Sequence, residues 1–216
     1  MSAIRRRTLL LGATALAAAG ALAACGGSAN GTVSADDMVL GEANAPLTLI
    51  EYASSTCPHC AHFHETVWET LKTNYIDTGK VRFVYREYPT APAPVAVAAF
   101  QVARCGGASN EQYFTRLGEI YRQQHAMFAT GTMEGVRAKL VEIGAAAGLT
   151  QDQVMQCITD EAGAERIRRV VEAGDRDFQI TGTPTFILNG SKVEDPAIQT
   201  PEGLSRILDA ALAAHN

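Results

Sequence analysis

The sequence predicts an α/β fold in which two β-rich segments frame a block of helices. Three observations carry that reading. A strand-like run from Leu47 to Ala53 leads directly into Cys57-Pro58-His59-Cys60. From Pro94 to about Phe178 the apolar spacing is helical only. The strand pattern then returns at Thr185 to Leu188, closed by Asn189-Gly190, a strong two-residue hairpin turn. A chain of 216 residues, 47% of them hydrophobic, is large enough for one domain with an insertion and a substantial core.

In chain order, Asp37 to Leu40 is a short edge strand and Gly41 to Pro46 turns on Gly, Asn and Pro. Leu47 to Ala53 is apolar and bounded by turn signals, so it reads as a buried strand. Ser54, Ser55 and Thr56 offer N-cap oxygens, and Pro58 suits a first helical position. The following helix is expected from Pro58 to about Tyr75, with Phe63, Val67 and Leu71 on its inner face. Val81 to Tyr88 is a strand rich in β-branched and aromatic residues. Four or five helices follow. Ser109 or Asn110 caps the second, Thr150 and Gln153 form a capping box on a later one, and Ile167, Gly174 and Phe178 stripe the last. After Thr185 to Leu188, Ser191 to Glu194 returns as a strand, and Thr200-Pro201 opens a final helix with Leu204, Ile207, Leu208 and Leu212 inward.

The N-terminus precedes this body. Arg5-Arg6-Arg7 and the Ala/Leu/Gly run from Thr8 to Leu22 have the layout of an export signal. The run ends in Leu22-Ala23-Ala24-Cys25, which resembles the bacterial lipobox, where cleavage leaves a cysteine that carries lipid. The alternative is an ordinary signal peptide cut near Ala24. Arg6-Arg7-Thr8-Leu9-Leu10 is compatible with twin-arginine export as well as plain secretion. Residues 1–24 are therefore read as a signal peptide of lipoprotein type, with Cys25 as lipid anchor, and 25–36, rich in Gly, Ser, Ala and Asn, as a flexible tether. Loss of the three arginines leaves 15 basic against 23 acidic residues, a net charge of −8. That balance argues against nucleic acid as a partner. An oxidising destination permits disulfides among the other four cysteines. No apolar run in the body is long enough to span a bilayer, so the membrane is expected to be touched only through the anchor.

Cys57 and Cys60 form a reversible dithiol/disulfide pair at a strand-to-helix junction. Unpaired amides and the helix dipole favour a thiolate at Cys57, which is expected to be exposed and to act first. Cys60, one turn in, acts second. His59 adds a donor and partial positive charge beside the sulfur. Together these lower the Cys57 pKa below the free value of about 8.5 and make it a good leaving group. The competing reading is half of a zinc site with His62 and His64. Residues 62 and 64 are about 200° apart on a helix, so both cannot face one ion with Cys60, and both are expected on the solvent surface. Haem attachment fails because Ala61 follows Cys60. No metal and no cofactor beyond the redox-active disulfide is expected. Thr183-Pro184 either ends a loop or forms a cis bond against the cysteines, leaving Thr183 free to pair with an extended substrate segment.

Glu51-Tyr52, Cys57-Pro58-His59-Cys60, the helical insert and Thr183-Pro184 together resemble the DsbA family of thioredoxin-fold proteins. The leader Gly41 to Pro46 and the run Cys60 to His64 share the likeness, which spans residues 37 to 216. It implies a thioredoxin-like domain made of 37–90 and 179–216, with a helical insertion at 91–178. It also implies a thiol–disulfide oxidoreductase that donates disulfides to reduced or unfolded exported proteins and is reoxidised by a DsbB-like membrane partner. Catalysis would rest on Cys57, Pro58, His59 and Cys60, and substrate binding on Thr183 and Pro184. Glu51 matches the family's buried acid that relays a proton for Cys60, or is an exposed strand carboxylate. The residue that family members pair with that acid, often Lys, is not obvious here; Tyr85 or Arg86 is nearest. Cys105 and Cys157 are expected to form a structural disulfide, whose loop closure would contribute about 4 kcal/mol, or else a bond that tunes the active site. The alternatives in function are a reductase or isomerase on the same fold, and a non-enzymatic metal- or peptide-binding module.

Overall fold

The computed structural model describes residues 32–215; the signal, the lipobox and Cys25 lie outside them. Five strands form one mixed sheet in the order β1-β3-β2-β4-β5: β1 (Met38–Leu40), β2 (Leu47–Ala53), β3 (Val81–Glu87), β4 (Thr185–Leu188) and β5 (Ser191–Lys192). β2 pairs parallel with β3, placing Glu51 opposite Tyr85, and antiparallel with β4, placing Glu51 opposite Phe186. A central strand with covered faces reads as a near-continuous apolar run, and all of β2 except Thr48 is buried, Glu51 included. β5 is shorter than expected, though Val193 still donates to the Phe186 carbonyl. The β4–β5 turn uses Asn189 and Gly190 at φ 48° and 83°. Asn189 Oδ1 also accepts from Thr48 N–H at 2.8 Å, so the turn residue pins the hairpin to β2.

The parallel crossover from β2 to β3 runs through α1 (Pro58–Thr66), α2 (Trp68–Leu71) and a π-helical turn, Lys72–Ile76. This corrects the single helix expected to Tyr75. The chain breaks step at Val67 (φ −111°, ψ −29°), and the widened π turn resets the inner stripe. Beyond Leu71 it buries two consecutive side chains, Tyr75 and Ile76, which an unbroken helix would point about 100° apart.

The insert holds six helices among the described residues: α3 (Ala93–Arg104), α4 (Asn110–Arg122), α5 (Gln124–Phe128), α6 (Met133–Ala146), α7 (Gln151–Ile158) and α8 (Glu161–Phe178). Ser109 with Gln112, and Thr150 with Gln153, form complete capping boxes. The sequence carries no sign of α5, whose five residues are too few to show a period. α9 (Pro201–His215) closes the chain.

Apolar packing divides at the sheet. Leu49, Phe83 and Phe186 face α1, and their cluster continues through Tyr85, Tyr113 and Phe114 into the insert. Ile50, Tyr52, Val84 and Ile187 face the other way, under Phe178 and Ile180. Gly174 allows α8 to cross there, since a Cβ would lie 2.7 Å from the Tyr52 ring.

Candidate redox site

The site is built where β2 ends and α1 begins. Cys57 is the N-cap of α1, with extended backbone (φ −83°, ψ 122°) and Pro58 next. Ser54, Ser55 and Thr56 do not cap the helix, as the sequence suggested. They tie the loop to the chain beyond β3 instead. Ser54 Oγ accepts from Thr90 N–H at 3.0 Å, Thr56 Oγ1 donates to the Thr90 carbonyl at 3.1 Å, and Ser55 Oγ donates to the Ala96 carbonyl at 3.2 Å. From α5, Gln124 Nε2 donates to the carbonyls of Ser55 (2.9 Å) and Cys57 (3.1 Å). Every residue from 54 to 57 is thereby held from outside the helix.

Both sulfurs are free thiols. Cys57 is 8% exposed and Cys60 0%. The expected openness of Cys57 is corrected by the turn lying over it. Thr183-Pro184 is a cis peptide, and Cys57 Sγ lies 3.2 Å from the Thr183 carbonyl, to which it donates when protonated. Cys60 Sγ accepts from Ser54 N–H at 3.5 Å. The two sulfurs titrate in opposite directions. The Cys57 pKa is lowered to about 5, first by the Cys60 thiol donating to it, then by the Thr183 side chain and the backbone N–H groups of Cys60 and His59, against the cost of burial. Burial pushes Cys60 far up, aided by its hydrogen bond to Cys57 and by the charge of Glu51. Pro58 and His59 are exposed. His59 assists Cys57 through its backbone N–H, not through the partial positive charge expected of it.

Glu51 is fully buried, at 0% exposure. Its partner is neither Tyr85 nor Arg86. Tyr85 bonds the Tyr121 hydroxyl at 2.7 Å, and Arg86 is taken by Asp37 and the Tyr52 hydroxyl. The partner is His64, whose Nε2 lies 3.0 Å from Glu51 Oε2. His64 was expected on the solvent face; its side chain is 5% exposed, stacked between Trp68 (5.1 Å) and Tyr121 (4.4 Å). His62 is exposed, as read. The signal for His64 was present: it lies four residues after Cys60, on the same inward face. Nothing in the sequence marks Gln124.

Cys105, where α3 ends, and Cys157 of α7 are disulfide-bonded, with Cα atoms 5.7 Å apart. No group of three or more His, Cys, Asp or Glu among the described residues could hold a metal. Among them, too, no helix is long and apolar enough to cross a membrane.

A family model described as thioredoxin matches residues 33–210. A Rickettsia typhi protein provisionally named a protein-disulfide oxidoreductase is 33% identical over 177 residues, covering 82% of this chain and 62% of its own length. The chain thus spans about three fifths of that relative. The crystal structure of Wolbachia pipientis α-DsbA1 superposes with a TM-score of 0.72 at 25% identity, covering 85% of this chain and 94% of that one. Oxidised BdbD from Bacillus subtilis shares the fold, with a TM-score of 0.69 at 16% identity over 82% of this chain and 94% of its own. Sheet, crossover helix and cis-proline turn define a thioredoxin-fold dithiol protein. The chain belongs to the DsbA family of thioredoxin-fold thiol–disulfide oxidoreductases.

Proposed function

We propose that this chain donates its Cys57–Cys60 disulfide to reduced or unfolded exported proteins. The observation that carries this is the opposed titration of the two sulfurs, Cys57 lowered to about 5 and Cys60 pushed up, beside the cis turn. A substrate thiolate attacks Cys57 Sγ, the Cys57–Cys60 bond breaks, and the electron pair leaves on Cys60. Cys60, a poor thiolate where it is buried, takes up a proton, with Glu51 as the nearby acid. A second substrate thiolate then attacks the substrate sulfur of the mixed disulfide. Cys57 leaves as a thiolate, which its low pKa favours. The substrate gains one disulfide and the protein becomes Cys57 thiolate and Cys60 thiol. The Thr183 backbone beside Pro184 receives the extended substrate segment. The acting part is a thioredoxin-like frame, 37–90 and 179–216, around a helical insert, 91–178. A DsbB-like membrane oxidant restores the disulfide. The domain works in the periplasm or cell envelope, tethered by 25–36 to a lipid on Cys25, and needs no metal or other cofactor.

Equilibration with glutathione buffers, followed by alkylation and mass measurement, tests this. The expected result is a Cys57–Cys60 pair more oxidising than glutathione, so that it is reduced even when glutathione disulfide is plentiful. A pair that stays disulfide-bonded in excess reduced glutathione would mean a reducing protein, and the donor role would be wrong.

A further inference from the structure

Proton movement at Cys60 meets a geometric problem. Cys60 and Glu51 are fully buried, and a peptide docked on Thr183-Pro184 would cover the face on which Cys57 lies. Glu51 Oε1 has no hydrogen-bond partner, so the carboxylate has capacity for a proton and no route to water of its own. The route lies on the other side of α1. His64 reaches Glu51 Oε2 through Nε2, and Nδ1 makes no hydrogen bond to a described residue. His64 also lines a groove of about 1200 Å³ between the α1–α2 segment and α4, whose lining includes Glu65, Glu69 and Glu111 as well as Lys72 and Arg122. Neither Cys57, Thr183 nor Pro184 lines that groove.

We infer that His64 is a positioning residue that carries the Cys60 proton between Glu51 and this groove, on a face that a bound substrate leaves open. This rests on the dithiol reading above. When the reduced protein is reoxidised, Cys57 thiolate attacks a disulfide and becomes a mixed disulfide. The Cys60 proton then passes to Glu51, and the freed Cys60 thiolate attacks Cys57 Sγ and expels the second thiolate. Glu51 returns to the carboxylate by giving its proton to the unprotonated Nε2 of His64, and the imidazolium loses a proton from Nδ1 into the groove. During substrate oxidation the same path runs inward. Stacking between Trp68 and Tyr121 holds the ring edge-on to the carboxylate.

The test separates the two sulfurs. Reduced protein is mixed with glutathione disulfide, and acid-quenched samples are counted for mixed disulfide and for closed Cys57–Cys60. In His64→Ala and His64→Gln the Cys57 alkylation rate should match the native protein, while closure by Cys60 slows by roughly 10- to 100-fold. Free imidazole should restore closure in His64→Ala, whose vacated site opens on the groove, and not in His64→Gln. His64→Gln keeps a hydrogen bond to Glu51 but cannot carry a proton, so native closure in that variant would reduce His64 to a structural partner and overturn the relay. Slow closure in His64→Ala that imidazole leaves unchanged would overturn it too. If the native protein forms no Cys57–Cys60 disulfide at all, the dithiol reading fails and takes the relay with it.

Discussion

Two carboxylates are buried on neighbouring strands, and their surroundings differ in kind. Glu87, at the end of β3, is 1% exposed and fully paired. Arg104 Nε lies 2.8 Å from Oε1, Arg166 Nη2 3.2 Å from Oε2, and the Tyr113 hydroxyl donates to Oε1 at 3.0 Å. Glu51, on β2, is equally buried but has a single partner, His64, and one unpartnered oxygen. Burying a charge is costly unless it is paired and hydrogen-bonded. Glu87 meets that condition and fastens the sheet to α3 and α8. Glu51 does not, and lies where it raises the Cys60 pKa. The contrast separates an acid that holds the fold from one that serves chemistry.

Replacing Glu87 should have the largest effect on stability. Glu87→Ala leaves two arginines facing a tyrosine hydroxyl without a counter-charge, a loss of about 3 kcal/mol. This is read as a lower denaturant midpoint, with the Cys57–Cys60 equilibrium unchanged. A loss under about 1 kcal/mol, within the range of a surface pair, would break the comparison.

Glu51→Gln should do the reverse. Steps in which Cys60 gains or loses its proton should slow by about 100-fold, or roughly 2.7 kcal/mol of barrier, as seen in stopped-flow reduction by a small dithiol. Stability should hold or rise, because a neutral amide replaces an under-paired charge. If Glu51→Gln destabilises the protein as much as Glu87→Ala, both acids are structural and the distinction goes.

The smallest effect is one of pH. A Cys57 pKa lowered to about 5 means that the thiolate's contribution to the reduced form is complete above the ordinary thiol range and is lost as pH falls through about 5. Reduction takes up two protons below that point and one above it. The reduction potential should therefore fall by about 59 mV per pH unit below pH 5 and by about 30 mV above it, the difference being near 1.4 kcal/mol per unit. A potential with the steeper slope up to pH 8 would place the thiolate elsewhere.

Much of this was legible in the chain because local signals agreed with the fold. Turn residues bound β2, Asn189-Gly190 joins β4 to β5, and Thr150 with Gln153 opens α7. The hidden features arise where tertiary packing overrides local pattern. Burial of Glu51 could not be read from β2, since a strand covered on both faces shows no alternation to say which side chains meet water. His64 is masked by the metal-like Cys-x-His-x-His spacing around it, although its offset of four from Cys60 places it inward. Gln124 sits on a helix too short to announce itself. The π turn at Lys72–Ile76 follows from the need to bury Tyr75 and Ile76 together, which no spacing within α1 reveals.

The low Cys57 pKa rests on hydrogen bonds donated by its neighbours, Cys60 first among them. Ultraviolet titration of thiolate absorbance in the reduced protein measures this directly, with Cys57→Ser as the blank. The expected midpoint is about 5, moving up toward the ordinary thiol range in Cys60→Ala. A native midpoint between 8 and 9, the range of a free cysteine of about 8.5, would contradict the account at its root.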